Sequence, residues 1–418
     1  MTSTVEGPYW AVGGSDLDIA DPDFCRAPHR FDIWAQARTT HPVAWTKSAH
    51  GGEFWSVVTY DLGDQVLKQA KLFSSAKGMR LGGNPAAVAF AANEMMVVSD
   101  GDAHRRLRAV HAPWFTGKAL GQMHEALVRR LTRRVTDLIE RAAPFDLMTE
   151  LASRVPTWAL CQMMGVPDAQ WDDLAELTDV AFDDSDPGPR ATRGRAAAHA
   201  MIFDQFAKLV ALRRKEPGDD IVSALIHTEV DGRGLTENEV LLNCDGLMNG
   251  GLETTPHAAA GAILEFARRP ELWNRLRHEP DLFDRAVEEI LRWTSPPMHA
   301  MRVAEQDIRL GDALIREGDR VVVWLPSGNR DERVYDRADE LVIDRTRNRH
   351  LSFGTGPHYC VGAMLARLEL RCLLEVMAGL VESFAVTGEV VRKRSNFLNG
   401  IESAEIAIAA AVRGGKGT

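Results

Sequence analysis

Phe353-Gly354-Thr355-Gly356-Pro357-His358-Tyr359-Cys360-Val361-Gly362 is the stretch on which the reading of this chain turns. Beyond Gly362 the residues become helix formers: Ala363, Met364, Leu365, Ala366, Arg367, Leu368. A cysteine just before a helix start lies at the positive end of the helix dipole, where backbone N–H groups favour a thiolate. Glycines let the backbone approach a flat ligand closely. The plain alternative is a buried free cysteine, a common core residue. The order of glycines and histidine around Cys360 weighs against it.

Three further stretches stand out. Glu289 and Arg292 are three residues apart, so they share a helix face and their charges can meet. On a surface such a pair is worth under ~1 kcal/mol. In Asn249-Gly250-Gly251-Leu252-Glu253-Thr254-Thr255, two glycines interrupt a helical pattern, at about 1 kcal/mol each relative to alanine. A helix that keeps them needs room for a ligand, a kink or a tight helix contact. Thr254 lies four residues after Gly250, so its hydroxyl can bond that carbonyl and bend the helix. The Asn249 amide suits either a polar substrate group or a local helix bond. His104-Arg105-Arg106-Leu107-Arg108, taken alone, reads as a basic solvated helix face.

The spacing FGxGxHxCxG resembles the haem-binding loop of the cytochrome P-450 superfamily, and all six motif positions are present. The resemblance implies that the Cys360 thiolate ligates the iron of haem b. A thiolate ligand donates electron density to iron and favours O–O cleavage. It also implies that His358 meets a haem propionate and Phe353 packs beside the sulfur, with Gly354 and Gly362 in the same cofactor loop. By the same likeness His104, Arg108 and Arg302 neutralise the propionates. Gly250 and Gly251 open the oxygen-binding helix, and Glu253 with Thr254 forms the acid–alcohol pair that relays protons. Glu289, Arg292 and Arg345 become a buried structural trio beneath the haem. Asn249 stands where alanine is commoner in the family, and Ala338 where proline is. The resemblance runs from about Phe31 to Ile408. By family position, the loop from Met79 to Val88 (with Asn84), the segment from Phe182 to Asp184, and Asn249, Pro297, Met298, Phe397, Leu398 and Asn399 border the substrate.

Composition agrees with a soluble enzyme. Of 418 residues, 45% are hydrophobic and 26% charged, enough for a large core. The net charge of −10 argues against a uniformly basic nucleic-acid binder. No signal peptide is read at the N-terminus and no run approaches the roughly 20 apolar residues of a membrane span. Five scattered cysteines without a CxxC pair fit a reduced, cytoplasmic setting and exclude a ferredoxin-like cluster.

Periodicity predicts helices over Gly121 to Arg141, Phe203 to Lys215 and Glu271 to Trp293 (the last in two stretches), and one opened by a Thr236–Glu239 capping box and running past Ala260. Strands are predicted at Phe54 to Thr59, Ile308 to Leu310, Arg320 to Leu325 and a C-terminal pair near Arg392 to Ile408. The breaker run from Asp183 to Pro189 reads as a surface loop. The expected fold is mainly α with a smaller β-rich part: one P-450 domain over residues 1–418 around a buried haem, with an N-terminal extension at 1–30 and the ligand loop at 353–362.

The implied activity is a monooxygenase reaction on a small organic substrate from bacterial natural-product biosynthesis. It would use dioxygen and electrons from a ferredoxin and its NAD(P)H-dependent reductase, with the enzyme a monomer. Arg105, Arg106, Arg129, Arg130, Arg133, Arg367 and Arg371 are candidates for a basic docking face. Alternatives are a non-hydroxylating oxidation (coupling, cyclisation, epoxidation or nitration) and, more remotely, a haem-binding sensor.

Overall fold

Leu120, Met123, Leu127, Leu131, Val135 and Leu138 recur at helical spacing, and all six are buried along one helix, Gly117–Arg141. This pattern dominates the computed structural model, which describes residues 18–182 and 188–411. The helices are α1 (Pro22–Arg26), α2 (Arg30–Thr40), α3 (Tyr60–Lys68), α4 (Pro85–Ala91), α5 (Gly101–His111), α6 (Gly117–Arg141), α7 (Arg154–Met164), α8 (Trp171–Phe182), α9 (Pro189–Lys215), α10 (Ile221–His227), α11 (Glu237–Leu252), α12 (Thr255–Arg268), α13 (Pro270–His278), α14 (Phe283–Thr294), α15 (Leu325–Gly328) and α16 (Ala363–Leu380). The strands are β1 (Val43–Ser48), β2 (Gly52–Val57), β3 (Phe73–Ser74), β4 (Phe145–Asp146), β5 (His299–Ala304), β6 (Ile308–Leu310), β7 (Ala313–Ile315), β8 (Arg320–Trp324), β9 (Val381–Arg392) and β10 (Ile401–Ala410).

The main core joins α6, α7, α11, α12, α14 and α16. A five-stranded sheet of order β1-β2-β8-β5-β3 stands beside it, all antiparallel except β2 with β8. The two faces of this sheet bury separate apolar clusters. A three-stranded sheet, β4-β10-β9, covers part of the helical core. The fold class is the one expected: mainly helical, with a smaller β part in one domain.

The capping box at α11 forms in both directions: Glu239 N–H donates to the Thr236 hydroxyl, and Thr236 N–H to the Glu239 carboxylate. The helix it opens does not run past Ala260. It stops at Leu252, and α12 begins at Thr255. Residues 18–30 are not a loose extension, because Ile19, Ala20, Phe24 and Cys25 are buried with Trp34, Phe54 and Trp324. Of the breaker run, residues 183–187 lie outside the described residues.

Candidate active site around Cys360

The ligand loop is shaped by its glycines. Gly354 and Gly356 have φ of +65° and +72°, a region side-chain-bearing residues rarely adopt. A Cβ on Gly356 would sit 2.7 Å from the Leu67 carbonyl oxygen, so the loop lies flat against α3. The Cys360 N–H donates to the Phe353 carbonyl at 2.9 Å, which brings Phe353 next to the cysteine. Gly362 caps α16, placing Cys360 just ahead of the helix N-terminus.

Burial is the largest influence on the Cys360 thiol and pushes it up, against the Gly362 N–H and the charges of Arg108 and Arg367. Yet of the five cysteines only Cys360 is exposed; Cys25, Cys161, Cys244 and Cys372 are buried. The sulfur is thus surrounded by protein and still accessible, as a ligand atom must be.

Positive groups converge nearby. His104 (α5) and His358 lie with ring centroids 4.1 Å apart. Burial pushes His104 down to about 4, and His358, Arg108 and Arg302 push the same way. Burial lowers His358 too, and brings Arg302, on β5, down to about 10. The carboxylate acting on this group is Asp100, whose Oδ1 lies 3.5 Å from His358 Nε2. Burial opposes its ionisation, but hydrogen bonds from His358, Ser74, Ala76 and Ser75 hold it well below the usual range. One carboxylate among two histidines and two arginines leaves donors for further anions. A flat group with two carboxylates and a thiolate-seeking iron fits these residues. Asp100 was missed from the sequence, although it directly precedes α5.

On α11 the two glycines differ. A Cβ on Gly251 would approach Leu160 Cδ2 on α7 to 2.7 Å, whereas one on Gly250 would meet nothing within 4 Å. Gly251 serves a tight helix contact and Gly250 borders open space. Gly250→Ala is therefore expected to keep or raise stability by up to about 1 kcal/mol. Gly251→Ala should cost about 1–3 kcal/mol by overpacking buried Leu160. Urea midpoints of the two variants check this, and equal midpoints would refute the distinction.

The Thr254 hydroxyl donates to the Gly250 carbonyl at 3.1 Å, at the break between α11 and α12. Glu253, beside it, is buried. Asn249 is half-buried, and among the described residues its side chain shows no hydrogen bond. Another missed group is Glu369 on α16: burial pushes it up to about 8, opposed by a hydrogen bond from Thr255.

The structural trio is complete. Glu289 and Arg292 are fully buried and form a two-bond ion pair at 2.7 and 2.8 Å. Arg345 Nε donates to Glu289 at 2.9 Å, and the Asn348 amide and Val342 N–H donate as well. Arg292 reaches the carbonyls of Asn329, Ala338 and Glu340. The contact at 338 is to a carbonyl, which alanine supplies as well as proline.

The substrate-facing candidates fare unevenly. Met298 is wholly enclosed among Trp34, Phe54 and Trp324, so its side chain is core rather than pocket wall. The Asn84 side chain caps α4 by accepting from Ala86 and Ala87, and Asn399 is bonded to Arg30 and the Thr294 carbonyl. Pro297 bridges Leu398, which is buried, while Phe397 and Val88 are half-buried. The Phe182 side chain, Asp183 and Asp184 lie outside the described residues.

Six of the seven arginines expected to form a docking face have acidic partners of their own. Arg106 is buried against Glu239. Arg105 pairs with Asp102 and Asp231, Arg129 with Glu125, Arg130 with Asp168, Arg367 with Glu288, and Arg371 with Asp284 and Glu375. Charges neutralised in this way make a weaker attractor, and Arg133, the seventh, is exposed.

Comparison with known proteins settles the family. The family model described as Cytochrome P450 matches residues 29–399. The chain belongs to the cytochrome P450 family. It is 31% identical to linalool 8-monooxygenase of Pseudomonas putida, over 94% of this chain and 98% of that one. It is 32% identical to cytochrome P450 NovI of Streptomyces niveus, over 94% and 96%. Among solved structures, P450 OxyD, involved in the biosynthesis of vancomycin-type antibiotics, superposes with a TM-score of 0.85 at 33% identity, covering 94% of this chain and all of that one. The protein is thus a cytochrome P450 monooxygenase with a haem-thiolate cofactor. Among the described residues, no helix is long and apolar enough to cross a membrane.

Proposed function

We propose that this P450 hydroxylates a small, largely apolar natural-product intermediate, with haem b held by Cys360. The observation that carries the reading is the Thr254–Gly250 bond at an interrupted helix beside buried Glu253. The bond orients the hydroxyl at the break, where it can hold a water and pass a proton, and Glu253 supplies the acid. When bound, the haem supplies oxygen binding and its reductive activation. His104, Arg108, Arg302 and His358 would hold its carboxylates, and Gly354 and Gly362 would let the loop approach its plane. Phe353 packs against the Arg367 guanidinium, 4.7 Å from its ring, and shields the cysteine loop. Asn249 is the polar group we assign to substrate recognition, beside Val88, Pro297, Phe397 and Leu398.

Support for the substrate class comes from relatives whose names refer to linalool oxidation and antibiotic biosynthesis. A cytoplasmic monomer served by a ferredoxin and its NAD(P)H-dependent reductase fits a chain with no cluster-binding cysteine pattern. Product analysis under labelled dioxygen tests the reading: one labelled oxygen in the product supports hydroxylation. A modified product without label would replace it by coupling or cyclisation. Thr254→Ala should keep oxygen consumption within about twofold while product per oxygen falls about tenfold or more. Unchanged coupling would remove Thr254 from the relay.

A further inference from the structure

Positive charge collects a second time, in a cavity whose wall includes none of the residues assigned above to hold the haem. The cavity, about 110 Å³, lies between the start of α2, the middle of α12, the end of α14 and the β9–β10 connection. Arg30, Arg268, Arg330 and Arg392 line it, with Glu265 as the one lining carboxylate. His257, also in the wall, is held neutral by burial, which pushes it down to about 3.

Two of these arginines are deeply buried: Arg30 is 2% exposed and Arg330 5%. Their flat faces are covered by aromatic rings. The Arg330 guanidinium lies 3.8 Å from the Phe31 centroid and 4.3 Å from that of Trp293, and Arg30 lies 4.3 Å from Phe31. Their edges are only partly used. Arg30 donates to the Ala27 carbonyl and to Asn399, and Arg330 to the Trp293 carbonyl. Arg30 Nε and one terminal nitrogen of Arg330 are buried with no hydrogen-bond partner among the described residues. Glu265 is engaged elsewhere in the wall: its two oxygens accept from Arg268 at 3.1 Å and Arg269 at 2.7 Å, and neither buried nitrogen bonds it.

Ring faces stabilise a guanidinium but give its N–H groups no acceptor. Buried cations left without an acceptor are rare, and nearby like charges make them rarer. Burial lowers Arg330 to about 9, with Arg292 and Arg30 adding to it and the charges of Asp339 and Glu265 opposing. Burial likewise lowers Arg30 to about 10, and Arg392 contributes. We propose that this cavity binds a tetrahedral, multiply charged oxyanion of the phosphate type, held by Arg30 and Arg330 in the depth and by Arg268 and Arg392 nearer the rim. Four arginines from separate elements suit a compact polyanion better than one planar carboxylate, which a single guanidinium fork satisfies. The anion is either free phosphate or the phosphoryl group of a larger molecule reaching in.

The test is calorimetric titration of the haem-loaded enzyme with inorganic phosphate, with potassium chloride at equal ionic strength as control. The expected result is saturable one-to-one binding absent with chloride. Arg392→Gln and Arg268→Gln, at half-exposed or exposed positions that tolerate change, should each weaken it about tenfold, the loss of one charge-assisted bond. Arg330→Met should abolish it. Competition by ATP would support the site and assign it to a phosphoryl group. Phosphate binding without such competition would support it and assign it to the free ion. Phosphate heats no greater than chloride heats, or affinity unchanged in both glutamine variants, would overturn the proposal.

Discussion

Cys360→Ala is expected to abolish the red-shifted Soret band of the reduced carbon monoxide complex and to lower monooxygenase activity at least about a thousandfold, or about 4 kcal/mol of barrier. The prediction follows from where the sulfur sits. Cys360 alone among the five cysteines is accessible, and it lies just before α16 with the Gly362 N–H and the Arg108 and Arg367 charges favouring its thiolate. Alanine removes the ligand but little packing, so the circular dichroism spectrum and unfolding midpoint should change only slightly. Cys161→Ala and Cys372→Ala, in the buried core, should do the reverse: the band stays and stability drops. Survival of the band in Cys360→Ala would show that another residue ligates the iron.

Glu289→Gln should be the most damaging conservative change to the fold. The Glu289 carboxylate accepts from Arg292, Arg345, Asn348 and the Val342 backbone, in a site without solvent. Glutamine keeps the shape but strands two arginines without their counter-charge. Breaking a buried pair in this way costs about 3–5 kcal/mol, a large part of the roughly 5–15 kcal/mol that holds a typical domain together. Urea denaturation should register it as a lower midpoint with an unchanged slope. Burial resists ionisation of Glu289, but its arginine partners hold the folded-state carboxyl below its ordinary 4.5. Its contribution is therefore fully present above that value and fades as pH falls through the lower folded value. The deficit of the glutamine variant should shrink over the same interval. A midpoint within about 0.5 kcal/mol of the parent at neutral pH would show that the trio is not structural.

The legible parts of the molecule were those governed by local pattern. The apolar stripe of α6 and the capping box of α11 each need only neighbouring residues, and both form as read. Strands β1 and β5 escaped because they are buried on both faces: their burial runs almost continuously and does not alternate. The Thr254–Gly250 bond forms as the spacing allowed, but the apolar period continues through Thr255–Arg268 and did not show that the helix would stop at Leu252. Met298 was misplaced because pocket walls and core walls use the same apolar residues, and only packing separates them. Asp100 and Glu369 were missed for a related reason: their partners, His358 and Thr255, are remote in sequence. The pairing of most docking arginines was not legible because charge counting cannot see which acids stand opposite.

The crowding of His104, Arg108, Arg302 and His358 around one carboxylate has a consequence for how the enzyme is made in a cell. Burial keeps the two imidazoles from charging and leaves Arg302 short of counter-charge until anions arrive, so the native state is favoured by the group it binds. Iron or porphyrin starvation should therefore lower the amount of intact polypeptide, through proteolysis of chains that have not closed. Nutrient supply would then set the abundance of this catalyst as well as its activity.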